Sequence, residues 1–172
     1  AIDKGLNKNE LEQLMPRIAE CAFDSTRKRM STLHAYQGQT NRHGTEVNYT
    51  AVSYTKGAPE SVIPLCSSSS SPDSAADQQP FDQHKWINAA ENLASQGYRV
   101  LAFAMHEYLE PQSTSQNMEK NLTFLGLVAL IDPPREEARQ AVRECLDAGI
   151  TPVMITGDHP ATACAIAQQI GL

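Results

Sequence analysis

The chain has 172 residues, 41% hydrophobic and 20% charged, with a formal net charge of −6. That length supports one folded core or one and a fraction, and the acidic balance argues against a broad nucleic-acid footprint. No run reaches the ~18 apolar residues of a membrane-crossing helix, and Ala1 to Glu12 is too polar for a signal peptide.

Ala1 to Asn9 is a polar lead-in. Leu11, Leu14, Met15 and Ile18 then recur at helical spacing, with Asn9 a candidate N-cap. Pro16 should end or kink that helix just before it. Phe23 to Ser31 is a basic run leading into a strand at Thr32 to Tyr36, and Gln37 to Thr45 reads as a hairpin loop. Period-2 spacing over Val47 to Thr55 predicts a strand that delivers Lys56, and the chain breaks at Gly57 and Pro59. A short helix should run from Pro59 to Leu65. Cys66 to Pro80, serine-rich and without an aromatic, is expected to be a mobile surface loop.

Trp86, Ile87, Ala90, Leu93 and Ala94 mark an amphipathic helix closed by Gly97. Arg99 to Tyr108 has strand length and character, Glu110 to Lys120 is polar and loop-like, and Leu122 to Ile131 should be a central strand. The period then changes. A helix over Arg135 to Ala148, Gly149, a strand over Thr151 to Ile155, Gly157 and a helix over Ala161 to Ile170 make a β-α-β-α order, the sign of a parallel sheet. Pro133 and Pro134 preset the first of these helices and Asp132 can cap it, so a domain boundary is placed at Ile131/Asp132.

The four cysteines, Cys21, Cys66, Cys145 and Cys164, are far apart and form no CxxC pair, and the five histidines are scattered. The thiols therefore read as reduced, and the expected setting is soluble and cytosolic.

Three stretches carry chemistry. Tyr54-Thr55-Lys56-Gly57-Ala58-Pro59-Glu60 puts a Lys at a strand end beside a Gly: either a solvated junction or a place for a ligand phosphate or ring. It is not a GxxxxGK phosphate loop, since no Gly-rich run precedes Lys56. Phe23 precedes Arg27 and Lys28, which suits an aromatic platform with nearby cations, or equally a core Phe beside a solvated basic run. Thr156-Gly157-Asp158 falls where a strand should hand over to a helix, a corner where backbone N–H groups favour phosphate.

Lys56-Gly57-Ala58-Pro59-Glu60, Asp132-Pro133-Pro134-Arg135 and Thr156-Gly157-Asp158 occur in that order, as in the P-type cation-transporting ATPases. The chain from about Leu11 onward resembles their cytosolic nucleotide-binding domain, especially in the calcium-pump-like branch, followed by the start of the C-terminal part of the phosphorylation domain. The resemblance implies an α/β (α+β) fold: a twisted, mainly antiparallel sheet with flanking helices over 1–131, then a hinge and a Rossmann-like piece over 132–172. It implies an ATP site. Phe23 would be the adenine platform, Arg27 and Lys28 would face the nucleotide, and Lys56, Gly57 and Ala58 would line the pocket. Arg99 would reach the phosphates, Asp132 would sit in the hinge, and Thr156, Gly157 and Asp158 would form the phosphate-site motif.

Relatives often carry an Arg two positions after the Phe, where this chain has Ser25, so that contact should be lost or taken by a neighbour. The family's phosphorylated aspartate lies in Asp-Lys-Thr-Gly-Thr, and its Mg²⁺ is held partly by Gly-Asp-Gly-x-Asn-Asp; neither string occurs in the 172 residues. The expectation is an ATP-binding cytosolic fragment, inactive alone. Its parent would use ATP and Mg²⁺ to move a cation, calcium first, at the cytoplasmic face of a membrane. Expected partners are ATP and the parent's remaining domains, with possible self-association through the parallel piece and no nucleic acid. The alternatives are a non-catalytic nucleotide-binding module and a haloacid-dehalogenase-type phosphatase. The latter needs a nucleophilic Asp in an Asp-x-Asp-like setting, which the N-terminal half does not offer.

Overall fold

The computed structural model describes residues 5, 7–42, 45–70, 81–109, 118–131, 133–158 and 160–172, and over 36–42 and 45–49 the backbone alone. The chain divides into two compact units: Ala1–Gln83 with Ala102–Gly126, and His84–Leu101 with Leu127–Leu172.

The strands are β1 (Arg17–Asp24), β2 (Arg29–Arg42), β3 (Thr45–Gly57), β4 (Cys66–Ser69), β5 (Arg99–Tyr108, in the first unit from Ala102) and β6 (Leu122–Leu130, in the first unit to Gly126). They form one six-stranded sheet in the order β1-β2-β3-β5-β6-β4. The β1–β2, β2–β3 and β3–β5 pairs are antiparallel, and β4 runs parallel to β6. This is the mainly antiparallel, helix-flanked sheet that the family resemblance implies.

Alternation sorts the sheet into two faces. Register puts Ser31, Leu33 and Ala35 of β2 opposite Thr55, Ser53 and Ala51 of β3, and Thr55 and Ala51 opposite Ala104 and Tyr108 of β5. These residues make the inner face, where Leu33, Ala51, Tyr108 and Met118 pack together with Ala19 and Cys21 against them. A second buried group, Val62, Ile63, Cys66, Leu122 and Phe124, lies around the short helix α2 (Pro59–Val62) and its 3-10 continuation Ile63–Leu65. Each large aliphatic or aromatic side chain so buried contributes about 1.5–3 kcal/mol relative to exposure. The inner-face hydroxyls are satisfied in place: Ser31 and Thr55 lie 2.9 Å apart, and Ser53 and Tyr108 3.2 Å apart.

The N-terminal helix α1 is Lys8–Leu14 and ends before Pro16. Its cap is Asn7, not Asn9: the Asn7 side chain accepts from the Asn9 amide. Ile18 and the residues after it are strand, because pairing with β2 overrides the helical spacing. The expected loop at Gln37 to Thr45 is mostly ladder, for β2 and β3 continue to Arg42 and from Thr45. Cys66–Ser69 is a strand rather than a loop, hydrogen-bonded along β6, a long-range pairing that composition does not reveal. Residues 71–80 of that expected loop lie outside the described residues.

The second unit carries α3 (Gln83–Ser95, from His84 on), α4 (Glu136–Asp147) and α5 (Pro160–Ile170). Gly97 and Gly149 close α3 and α4 at φ +89° and +74°. Gly97 N–H donates to Ala94 and Tyr98 N–H to Leu93; Gly149 N–H donates to Leu146 and Ile150 N–H to Cys145, the paired bonds of a Schellman ending. The N-cap of α4 is Arg135, with no side-chain capping bond, in place of the expected Asp132, which itself lies outside the described residues. Thr151 to Ile155 is irregular rather than a strand. Val153 and Ile155 are 79% and 93% exposed, and a parallel strand has no internal bonds to hold it without a neighbour.

Candidate nucleotide site

The turn between β1 and β2, residues 25–28, is built locally. Asp24 Oδ1 accepts from the Thr26 and Arg27 amides at 3.0 and 2.8 Å, and the Asp24 carbonyl accepts from the Lys28 amide at 2.7 Å. Lys28 closes the turn at φ +50°, a left-handed conformation uncommon for a residue with a Cβ. Its ammonium meets Glu60 of α2 at 3.2 Å.

Gly57 explains how the turn sits on β3. A Cβ there would fall 2.6 Å from Arg29 Cβ and 2.7 Å from Arg29 Cα, and closer still to the Lys28 carbonyl oxygen. That carbonyl accepts from the Ala58 amide at 3.0 Å. The close approach permitted by Gly57 is to the protein's own turn.

Between the Cys21↔Ser31 and Asp24↔Arg29 pairs, β1 has two residues, Ala22 and Phe23, where β2 has one, Met30. This two-against-one bulge bends the strand and re-aims its side chains. Met30 pairs in turn with Lys56, and Lys56 with Phe103. Phe23 and Lys56 thus lie in one cross-strand row, two strands or about 10 Å of backbone apart. Phe23 is 63% exposed, Lys56 is also exposed, and neither contributes to the inner face.

The residue that sequence reasoning missed is Glu119, in the short turn before β6. It is the acceptor at the centre of four bonds. Arg27 Nη1 reaches both its oxygens at 2.7 and 2.8 Å, Arg29 Nε donates at 2.7 Å and Ser31 Oγ at 2.9 Å. Burial alone would raise the Glu119 pKa; the bonds from Arg29, Arg27 and Ser31 outweigh it and hold the carboxyl below its ordinary 4.5. The Glu119 bond, against some loss from burial, raises the Arg27 pKa, so the pair stays ionised. A lone Glu in a polar connection gives no sequence signal of a partner some 90 residues away.

In the second unit, Arg99 Nε donates to Asp158 Oδ1 at 2.8 Å, and Thr156 Oγ1 donates to Asp158 Oδ2 at 3.0 Å. The Asp158 amide donates back to Thr156 Oγ1 at 3.1 Å. Arg99 and the Thr156-Gly157-Asp158 corner are brought together, with both carboxylate oxygens of Asp158 occupied. Gly157 has open space on its Cβ side. Among the described residues, no group of three or more His, Cys, Asp or Glu side chains could hold a metal ion, and no helix is long and apolar enough to cross a membrane.

The fold is thus an open, mostly antiparallel six-stranded sheet with flanking helices. Residues 1–137 match the family model described as "P-type ATPase, cytoplasmic domain N". The chain is 39% identical over 167 residues to calcium-transporting ATPase 1 of Bacillus cereus, covering 97% of this chain and 18% of that protein. It is 38% identical over 174 residues to the probable cation-transporting ATPase F of Mycobacterium tuberculosis (100% and 18%). It is 34% identical over 177 residues to the sodium/potassium-transporting ATPase subunit alpha-4 of Rattus norvegicus (95% and 16%). The chain belongs to the P-type ATPase family. It spans less than a fifth of the length of these relatives.

Proposed function

We propose that this chain binds the adenine of ATP over the Phe23–Met30–Lys56 row and serves a cation-transporting P-type ATPase, calcium first among the candidate ions. The observation that carries the reading is that row: pairing sets an exposed aromatic and an exposed lysine on either side of Met30. A ring placed over Met30 can stack on the Phe23 face and meet the Lys56 ammonium. The names of the relatives support transport of a cation.

In this reading residues 1–131 form the nucleotide-binding domain, and 132–172 form a hinge with part of a phosphorylation domain. Lys28 is paired with Glu60 and Arg27 with Glu119, so both act on the site through the turn. Arg99 and Thr156 hold Asp158 in a fixed orientation at the phosphate corner. Mg²⁺, arriving with ATP, would supply charge neutralisation of the triphosphate. The acceptor aspartate of the family's chemistry belongs to an Asp-Lys-Thr-Gly-Thr segment, a string these 172 residues do not contain, so the chain alone is expected to bind ATP without turning it over.

Titration with the fluorescent analogue mant-ATP tests the site. Stacking of an aromatic on a base is worth about 1–3 kcal/mol, so Phe23→Ala should weaken binding about 5- to 150-fold. Lys56→Glu should weaken it at least several-fold. Unchanged titration curves for both variants would remove the assignment.

A further inference from the structure

The geometry points to Glu119 as the positioning residue of the nucleotide-recognition turn, and we infer that it sets Phe23 without touching the ligand. This rests on the nucleotide reading above. Glu119 bonds to Arg29 and Ser31, which alternate along β2 with Met30, so it lies on the inner face and Lys56 on the other.

Its influence crosses the sheet by a traceable route. Arg27 Nη1 is held by both Glu119 oxygens, while Arg27 Nη2 donates to the Ala22 carbonyl at 2.8 Å. That carbonyl belongs to the peptide unit joining Ala22 to Phe23, the two bulge residues opposite Met30. Glu119 thus fixes a guanidinium, the guanidinium fixes the bulge peptide, and the peptide fixes the backbone from which Phe23 projects. A second arm runs through Arg29: Glu119 holds its Nε, and its Nη1 donates to the Arg27 carbonyl at 3.3 Å, next to Lys28.

Asp24, at the end of β1, shapes the same turn by accepting from the Thr26 and Arg27 amides. Glu119, just before β6, joins the turn to a segment some 90 residues further along the chain. Its side chain is 13% exposed, with Arg27 at 29% and Arg29 at 21%, so the bonds are partly shielded from water. Charge-assisted bonds of this kind position their partners strongly.

The test uses the full 172-residue chain with Glu119→Gln and Glu119→Asp, each alone and combined with Phe23→Ala. Read-outs are mant-ATP affinity and amide hydrogen exchange. Glu119→Gln should weaken mant-ATP by about fivefold or more, the lower worth of a stacked base. Exchange at Thr26, Arg27 and Lys28 should quicken while exchange at Leu33 and Thr55, in the ladder, stays slow. In the Phe23→Ala background the further loss should fall below about twofold, because residues acting in series are not additive. Glu119→Asp keeps the charge but is one methylene shorter, so it should give an intermediate loss and provides a folded comparison if the Gln variant unfolds.

Wild-type affinity with undisturbed turn exchange in both variants would overturn the inference while leaving the nucleotide reading intact. A full fivefold loss that persists beside Phe23→Ala would also overturn it, since Glu119 would then act elsewhere. A wild-type chain with no saturable mant-ATP signal would overturn the nucleotide reading and this inference together.

Discussion

Gly57→Ala offers the sharpest check on how the turn is seated. The added methyl would lie 2.6–2.7 Å from Arg29 Cβ and Cα, and closest to the Lys28 carbonyl oxygen. Ordinary contacts begin near 3.4 Å, so β2 and β3 must part by several tenths of an ångström or more. Two of the three obstructing atoms are backbone and cannot rotate away. Overpacking of this kind costs about 1–3 kcal/mol. Stretching the 3.0 Å bond from the Ala58 amide to the Lys28 carbonyl adds about 1 kcal/mol. Against this, Ala restricts the unfolded chain and returns about 0.4–1 kcal/mol.

The net expectation for Gly57→Ala is about 1–3 kcal/mol of destabilisation. At a urea slope of about 2 kcal/mol/M, the midpoint should fall by roughly 0.5–1.5 M. Circular dichroism through a urea series measures it, and exchange at the Ala58 amide localises it. Gly157→Ala is the control. Gly157 has open space and no positive φ, so stability there should move by less than about 0.5 kcal/mol. Equal midpoints for wild type and Gly57→Ala would refute the packing argument.

Two further outcomes follow from titratable groups. The Glu119 carboxyl is held below its ordinary 4.5, so its contribution to stability is complete above pH 4.5 and disappears as the pH falls through the lower folded-state value. Its facing groups are the guanidinium side chains of Arg27 and Arg29, so an acid-unfolding series should show a steeper loss in wild type than in Glu119→Gln. Parallel curves would contradict the bonding pattern. Burial pushes the Cys66 thiol up to about 12, whereas Cys164 is exposed. Iodoacetamide at pH 8 should therefore label Cys164 in the native chain and reach Cys66 only in urea; early labelling of Cys66 by mass spectrometry would contradict its placement.

Much of this molecule was written locally in the chain. The strand at Arg99–Tyr108, the helix ending at Gly97, the start of a helix after Pro59 and the stop before Pro16 each follow from a period, a cap or a ring within a few residues. Family membership was legible in the same way, through three short motifs in order. Pairing between distant segments decided the rest. Ile18 to Asp24 became an edge strand because β2 was there to bond it, and Cys66–Ser69 became one beside β6. Thr151 to Ile155, equally apolar in pattern, found no such neighbour among the described residues and stayed irregular.

The site divides along the same line. Phe23 and Lys56 could be singled out from type and spacing, but only the bulge opposite Met30 puts them in one row. Gly57 announced a close approach, and the folded chain identified the approaching group as the Lys28 carbonyl. Glu119 had no sequence mark at all. A carboxylate acquires its meaning from the guanidinium groups that folding brings to it, and those arrive from a turn some 90 residues earlier in the chain.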